Sequence, residues 1–185
     1  MPTHRTANVA VRNQTGKGLV SVAIAHKYSD NYKNHHVWEN VAEGTTTAAD
    51  MQADYNTGFL TTGRDWWLVT AIDDAGRVFI SNPHNFRDII DRLETALKNI
   101  LPILPPVGTE PGMAEAQKVI TAILDQVLNH EATNGYKQHM LESDDEGHTV
   151  TITLRSLPSG GEAKDAVEIS SPSGSSETNL LLVRG

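Results

Sequence analysis

Cysteine is absent from all 185 residues, which rules out disulfides, thiolate metal sites and cysteine nucleophiles. That absence suits a reducing and an oxidising compartment equally, so it does not place the protein. Long apolar runs are missing too: none reaches the ~18 residues that a membrane-spanning helix needs. The first residues, MPTHRTANVAVRN, break every apolar stretch with a polar or charged side chain, so no secretory signal is expected. The protein is expected to be cytoplasmic, or to be released without a signal peptide. Positive charge is in short supply, with 15 basic against 23 acidic residues and a net charge of −8. No basic stripe is visible, so neither nucleic acid nor polybasic membrane attraction is an expected mode of binding. Charge of this sign keeps an abundant protein soluble. The glycosylation pattern Asn13-Gln14-Thr15 carries no weight without a secretory route.

What is present is strand-like at both ends and helical between. Ala7, Val9 and Val11 alternate with Asn8, Ala10 and Arg12, and Val20, Val22 and Ile24 alternate with Ser21, Ala23 and Ala25. Such a period of two puts one set on a core face. The turn residues 13–18 between them predict a hairpin. Residues 66–72 are apolar on both faces, the mark of a covered strand, and Asp73-Asp74-Ala75-Gly76 turns the chain into a further strand at 77–80. Over about 85–133 apolar residues recur at three and four, predicting two helices separated by the proline-rich stretch 102–106. Each helix has one apolar stripe, and the outer face of the 66–72 strand is the expected seat for the pair. Strand alternation returns at Val150, Ile152 and Leu154, then at Val167 and Ile169 and at 180–183; Asp144-Asp145-Glu146-Gly147 reads as a hairpin turn. The expected fold is mainly β: one domain over 1–185, a two-sheet antiparallel β-sandwich with an inserted two-helix hairpin.

The scarce aromatic residues crowd together. Tyr28, Tyr32, Trp38, Tyr55, Phe59, Trp66 and Trp67 all fall between positions 28 and 67. They form either a stacking surface for a sugar ring, a lipid headgroup or a partner, or a set of core and corner residues. Trp66 and Trp67 point to opposite sides of a strand, so only one can face the core. The other lies beneath the helices or in solvent, and the covered arrangement is expected. Residues 26–36 mix histidine, tyrosine and charge, and read as a loop. His35 and His36 diverge on an extended chain and make a poor chelating pair, so no metal site is expected. The acidic turns match no EF-hand loop. No Gly-x-Ser-x-Gly elbow and no phosphate-binding glycine loop occurs. The chain is therefore expected to have no catalytic residues and no cofactor. Asp65 beside Arg64 is the most interesting ionisable pair, and a corner or surface ion pair accounts for it best.

The runs HKYSDNYKN at 26–34, Trp38, YNTGFLTTGRDWWLV at 55–69 and NPHNFRDIID at 82–91 resemble fungal relatives of the PUD family, proteins named for up-regulation in long-lived nematode mutants. The resemblance covers roughly residues 5–100 and implies a β-sandwich without established enzymatic activity. It brings no catalytic residues across, and it leaves room for a structural role for Lys27, Tyr28, Asp30, Tyr32, Trp38, Arg64, Asp65, Trp66 and Trp67. The leading expectation is a non-enzymatic binding protein whose surface comprises the loops 26–38 and 58–65, with Tyr28, Asp30, Tyr32, Trp38, Arg64, Asp65, Trp66 and Trp67 as ligand residues. A glycan at a cell surface ranks slightly above a membrane-surface lipid. The alternatives are a hydrolase built around Asp65, Asp30 and His26, or a structural or storage protein. The edge strands of an open sandwich would also suit a homodimer.

Overall fold

The computed structural model describes residues 1–29, 31–59, 61–82, 110–129 and 135–184. In chain order the strands are β1 (Thr3–Asn13), β2 (Leu19–Tyr28), β3 (Tyr32–Val41), β4 (Met51–Thr57), β5 (Asp65–Asp73) and β6 (Val78–Asn82). A helix, α1 (Glu110–Leu128), precedes β7 (Lys137–Gln138), β8 (Thr149–Leu154), β9 (Glu162–Ser171) and β10 (Gly174–Arg184). All ten strands among the described residues belong to one sheet, ordered β3-β2-β5-β6-β10-β9-β8-β1-β4, with β7 added to the end of β5.

The mainly β class is as expected, but the two-sheet sandwich gives way to one sheet curled into a nearly closed barrel. Alternation cannot separate these forms, because either one buries a single face of each strand. What decides is β10, which pairs with β9 on one side and β6 on the other and so joins the two halves. The terminal strands β3 and β4 then face each other. Asn34 bridges them, donating from Nδ2 to Asp54 Oδ2 at 2.7 Å and accepting the Asp54 backbone N–H at 3.0 Å. Trp38 Nε1 donates to Ala48 O at 3.1 Å further along. The two edge strands of the sheet are thus brought against each other across a side-chain seam. The sheet is also not wholly antiparallel, since β1 runs parallel to β8.

Two hydrophobic layers result. The interior is filled by inward residues such as Val9, Val22, Ile24, Trp38, Tyr55, Trp67, Phe79, Ile152, Ile169 and Leu180. Outside, α1 lays Ala116, Val119, Ile120, Ile123, Leu124 and Val127 against Ala23 and Ala25 of β2, Leu68 and Ile72 of β5 and Ile80 of β6. Each fully buried Val, Leu or Ile contributes ~1.5–3 kcal/mol, which holds a helix that polar residues cover elsewhere. The expected seat on the outer face of β5 is thus confirmed for α1. The other expected helix, and the proline-rich stretch beyond it, lie outside the described residues. Lys27 also points outward, and its Nζ donates to Val127 O at 2.8 Å and sits 4.8 Å over the Tyr136 ring. A cation at a helix C-terminus meets the negative end of its dipole.

Turn chemistry is read correctly where strands pair and misleads where they do not. The Asp73–Gly76 turn joins β5 to β6, with Asp73 Oδ1 accepting from Ala75 N at 3.1 Å and Arg77 N at 2.9 Å. The predicted hairpin at 13–18 is instead an arch, because β1 pairs with β4 and β8 and not with β2. Asn13 shapes this arch: its Oδ1 accepts from Thr15 N at 3.1 Å, and its Nδ2 donates to Lys17 O at 2.7 Å and Val41 O at 2.9 Å. Fully buried and bonded in this way, Asn13 is closed to glycosylation in the folded chain. Asp144–Gly147 likewise links β7 to β8, which are not neighbours. Finally, 26–36 is mostly strand, because β2 ends at Tyr28 and β3 begins at Tyr32.

Candidate functional site

At one end of the barrel the close of β2, at Tyr28 and Ser29, meets residues 61–64, with Gly58 and Phe59 before them in the chain. Ser29 N donates to Arg64 O at 3.0 Å, and Arg64 N donates back to Ser29 Oγ at 3.1 Å. Beneath this clasp the Tyr28 ring packs so closely on Gly63 that a Cβ there would lie 2.0 Å from Tyr28 Cζ. Tyr28 Oη donates to Asn56 O at 3.1 Å. Burial, and then the nearby Asp65 carboxylate, push the Tyr28 hydroxyl above its usual range. Tyr32 continues the row, 6.0 Å from Tyr28 and 5.2 Å from the His4 ring between centroids. His4 in turn meets Asp54 Oδ1 at 2.8 Å. Phe59 projects from the other loop with 84% of its surface exposed, and the Arg64 side chain is exposed as well.

The remaining ligand residues expected from sequence lie elsewhere. Trp38 and Trp67 are buried inside the barrel, Trp38 with its ring 4.6 Å from His36 and Trp67 donating from Nε1 to His139 O at 3.0 Å. Trp66 points outward and packs, half-buried, against the helix-covered layer, as its alternation with Trp67 requires. Asp30 lies outside the described residues. An exposed platform of three tryptophans is therefore not what the fold builds. The two loops do come together, and their display rests on Tyr32, His4, Phe59 and Arg64.

Asp65 is no surface partner of Arg64. It is sealed in the interior, with Oδ1 2.8 Å from His26 Nε2 and Oδ2 accepting from Leu141 N at 3.0 Å. His26 and Asp65 thus converge as the hydrolase alternative requires, yet both have 0% exposure, so no substrate reaches them in this conformation. Across the same barrel end His139 lies between Ser176 Oγ at 3.0 Å and Ser171 Oγ at 3.2 Å. Burial depresses this imidazole below its usual range. Asp145 accepts from Ser173 Oγ at 2.6 Å and Glu142 N at 2.7 Å. Burial pushes its carboxyl up, but these bonds outweigh that and hold it below the ordinary range. His4 and His139 carried no signal in the sequence and Asp145 was legible only as part of an acidic turn, because only the register of distant strands brings their partners near. Among the described residues no group of three or more His, Asp or Glu side chains is placed to hold a metal ion, and no helix is long and apolar enough to cross a membrane.

A family described as up-regulated in long-lived daf-2, the PUD family, matches residues 3–180. The chain belongs to the PUD family. No curated protein matches it. The PUD match extends through α1 and the final strands, the parts for which the sequence segments alone carried no resemblance. Membership fixes kinship and leaves the ligand to be argued from the surface itself.

Proposed function

We propose that this PUD protein is a non-enzymatic recognition protein whose binding surface is the barrel end formed by Ser29 and Tyr32 with Gly58, Phe59 and residues 61–64. One observation carries the reading: two loops locked by reciprocal Ser29–Arg64 hydrogen bonds present Phe59 at 84% exposure. A single exposed apolar side chain is ordinary by itself, and what supports the reading is that Phe59 lies on a segment pinned by the Ser29–Arg64 hydrogen bonds at the barrel end that also carries Tyr32 and His4. Tyr32, His4 and Arg64 add rings and a cation beside it, the kit that stacks on sugars and hydrogen-bonds their hydroxyls. A glycan is the favoured ligand and a lipid headgroup the runner-up. The net charge of −8 speaks against nucleic acid. Within the family, the segments at 26–34 and 61–67 support a fungal relative.

Support from Trp67 is indirect, since it builds the wall under the loops, whereas Trp38 pairs with Val22, six residues along β3 from Tyr32. A hydrolase is the second reading, favoured only by the 2.8 Å contact between His26 and Asp65. The test is a thermal-shift screen against neutral and acidic glycans and zwitterionic vesicles, run with wild type, Phe59→Ser and Tyr32→Ala. A ligand at a hundredfold excess over Kd stabilises the native state by about 2.7 kcal/mol. A glycan shift that both variants lose is the expected result. A shift that both variants retain would move the site elsewhere.

A further inference from the structure

His26 is enclosed in the barrel at 0% exposure, and each ring nitrogen meets an acceptor: Asp65 Oδ1 at 2.8 Å from Nε2 and Asn34 Oδ1 at 3.2 Å from Nδ1. The Asn34 amide cannot turn over, because its oxygen also accepts the Asp54 N–H at 3.0 Å and its nitrogen donates to Asp54 Oδ2 at 2.7 Å. An oxygen therefore faces Nδ1, and that nitrogen carries a proton. A proton also lies between Nε2 and Asp65. A bare ring nitrogen there would set lone pair against lone pair, and would leave a sealed carboxylate with, among the described residues, the Leu141 N–H to compensate it. The Trp67 ring, 4.3 Å from His26 between centroids, offers a face that favours a cation.

We propose that His26 is held inside the barrel as an imidazolium paired with Asp65 and acts as a pH-sensitive latch on the β3–β4 seam. Among the described residues this seam has no backbone ladder between its two strands. The Asn34 amide crosses it instead, and His26 braces that amide from behind. A ring that loses one proton can donate to only one of its two acceptors. If it keeps Asp65, Asn34 loses its brace; if it keeps Asn34, the Asp65 side opens.

The charged and titratable groups around the ring come from every wall. Asp65 comes from β5, Asp54 lies behind Asn34 on β4, and His4 of β1 sits on the far oxygen of Asp54 at 2.8 Å. Tyr28 follows on β2, and Lys27 points to the other face of that strand toward Val127. His139 and Asp145 lie across the barrel end, each tied to serines. Tyr28 and Tyr32 are two residues along from His26 and Asn34 on the same strands, so movement of the seam reaches the loop surface. The latch stands on hydrogen bonding alone and holds whatever those loops bind.

The test starts from the unaltered chain. A nitrogen-15 titration of the full chain follows the His26 ring while amide exchange is measured in β3, β4 and, as reference, β8 and β9. The expected result is two protonated ring nitrogens at mildly acid pH. When one is lost on raising the pH, the protection factors of β3 and β4, taken relative to the intrinsic exchange rate at each pH, should fall about tenfold, the equivalent of one hydrogen bond, with those of β8 and β9 unchanged. A ring with a single proton throughout overturns the assignment. Seam exchange that ignores the ring's ionisation, or a ring that keeps both protons until global unfolding, overturns the latch. The variant Asp65→Asn, which removes the carboxylate and keeps its shape, should abolish the seam's pH dependence, and a dependence that persists also counts against it.

Discussion

Replacing Asp65 by alanine or by asparagine distinguishes a carboxylate that holds the fold from one that is merely accommodated. Its two oxygens serve His26 Nε2 at 2.8 Å and Leu141 N at 3.0 Å, in a site with 0% exposure. Alanine removes both acceptors and leaves a ring donor and a backbone N–H unpaired in the interior. Breaking a buried pair from one side costs ~3–5 kcal/mol and an orphaned donor ~1–3 kcal/mol, so about 5 kcal/mol is expected for Asp65→Ala. Asparagine keeps the shape: its oxygen can accept from Leu141 N while its amide donates to a neutral His26. A loss of only ~1 kcal/mol is expected for Asp65→Asn. Urea unfolding followed by tryptophan fluorescence reads both, with Trp67 as an interior reporter and the m-value as the check that the same surface unfolds. An alanine variant within ~1 kcal/mol of the asparagine variant would refute the reasoning, since the two orphaned donors would then cost nothing.

Other outcomes follow from single contacts. Gly63→Ala puts a Cβ 2.0 Å from Tyr28 Cζ and should lower stability by ~1–3 kcal/mol, whereas Gly18→Ala, with nothing within 4 Å, should leave the melting temperature nearly unchanged. Trp67→Phe loses the 3.0 Å bond to His139 O and part of a buried ring, for ~2–3 kcal/mol by urea unfolding. Acid should destabilise the protein in two stages. The His139 contribution belongs to the neutral ring, is complete above its ordinary value of 6.5, and is lost as pH falls below it, because burial depresses the folded value. The Asp145 contribution is complete above 3.8 and is lost as pH falls further, because its folded value is also depressed. In a pH series of urea midpoints, His139→Gln should remove the first stage and leave the second.

Most strands were legible because their alternation is a local property. Val9 and Val11, Val22 and Ile24, and Val150 and Ile152 all face the interior as read. Pairing was not legible. The turn at 13–18 reverses the chain as its residues dictate, yet nothing local states that β1 will choose β4 and β8 over β2. The stretch 26–36 was hidden for a related reason. Its inward residues are His26, Tyr28, Tyr32 and Asn34, whose burial depends on partners from other strands, so polarity suggested a loop where there is sheet. The same blindness made Asp65 look like a partner for its neighbour Arg64. The meeting of the two loops was foreseeable from their composition, but which aromatic rings they expose was not. A buried tryptophan and a displayed phenylalanine look alike until the wall behind them exists.

The parallel pairing of β1 with β8 has a consequence for how the chain is made. Asn8 lies beside Thr149 and Asn13 beside Leu154, strands roughly 140 residues apart, a separation that slows folding. During synthesis β1 leaves the ribosome first and finds β4, but its other edge stays bare until the last third of the chain has emerged. The curled sheet can close only then, when β10 also reaches β6. Closure is thus the last step in the order in which the strands are made. Until it happens the nascent chain carries an open strand edge, the place where chaperones and aggregation compete for it.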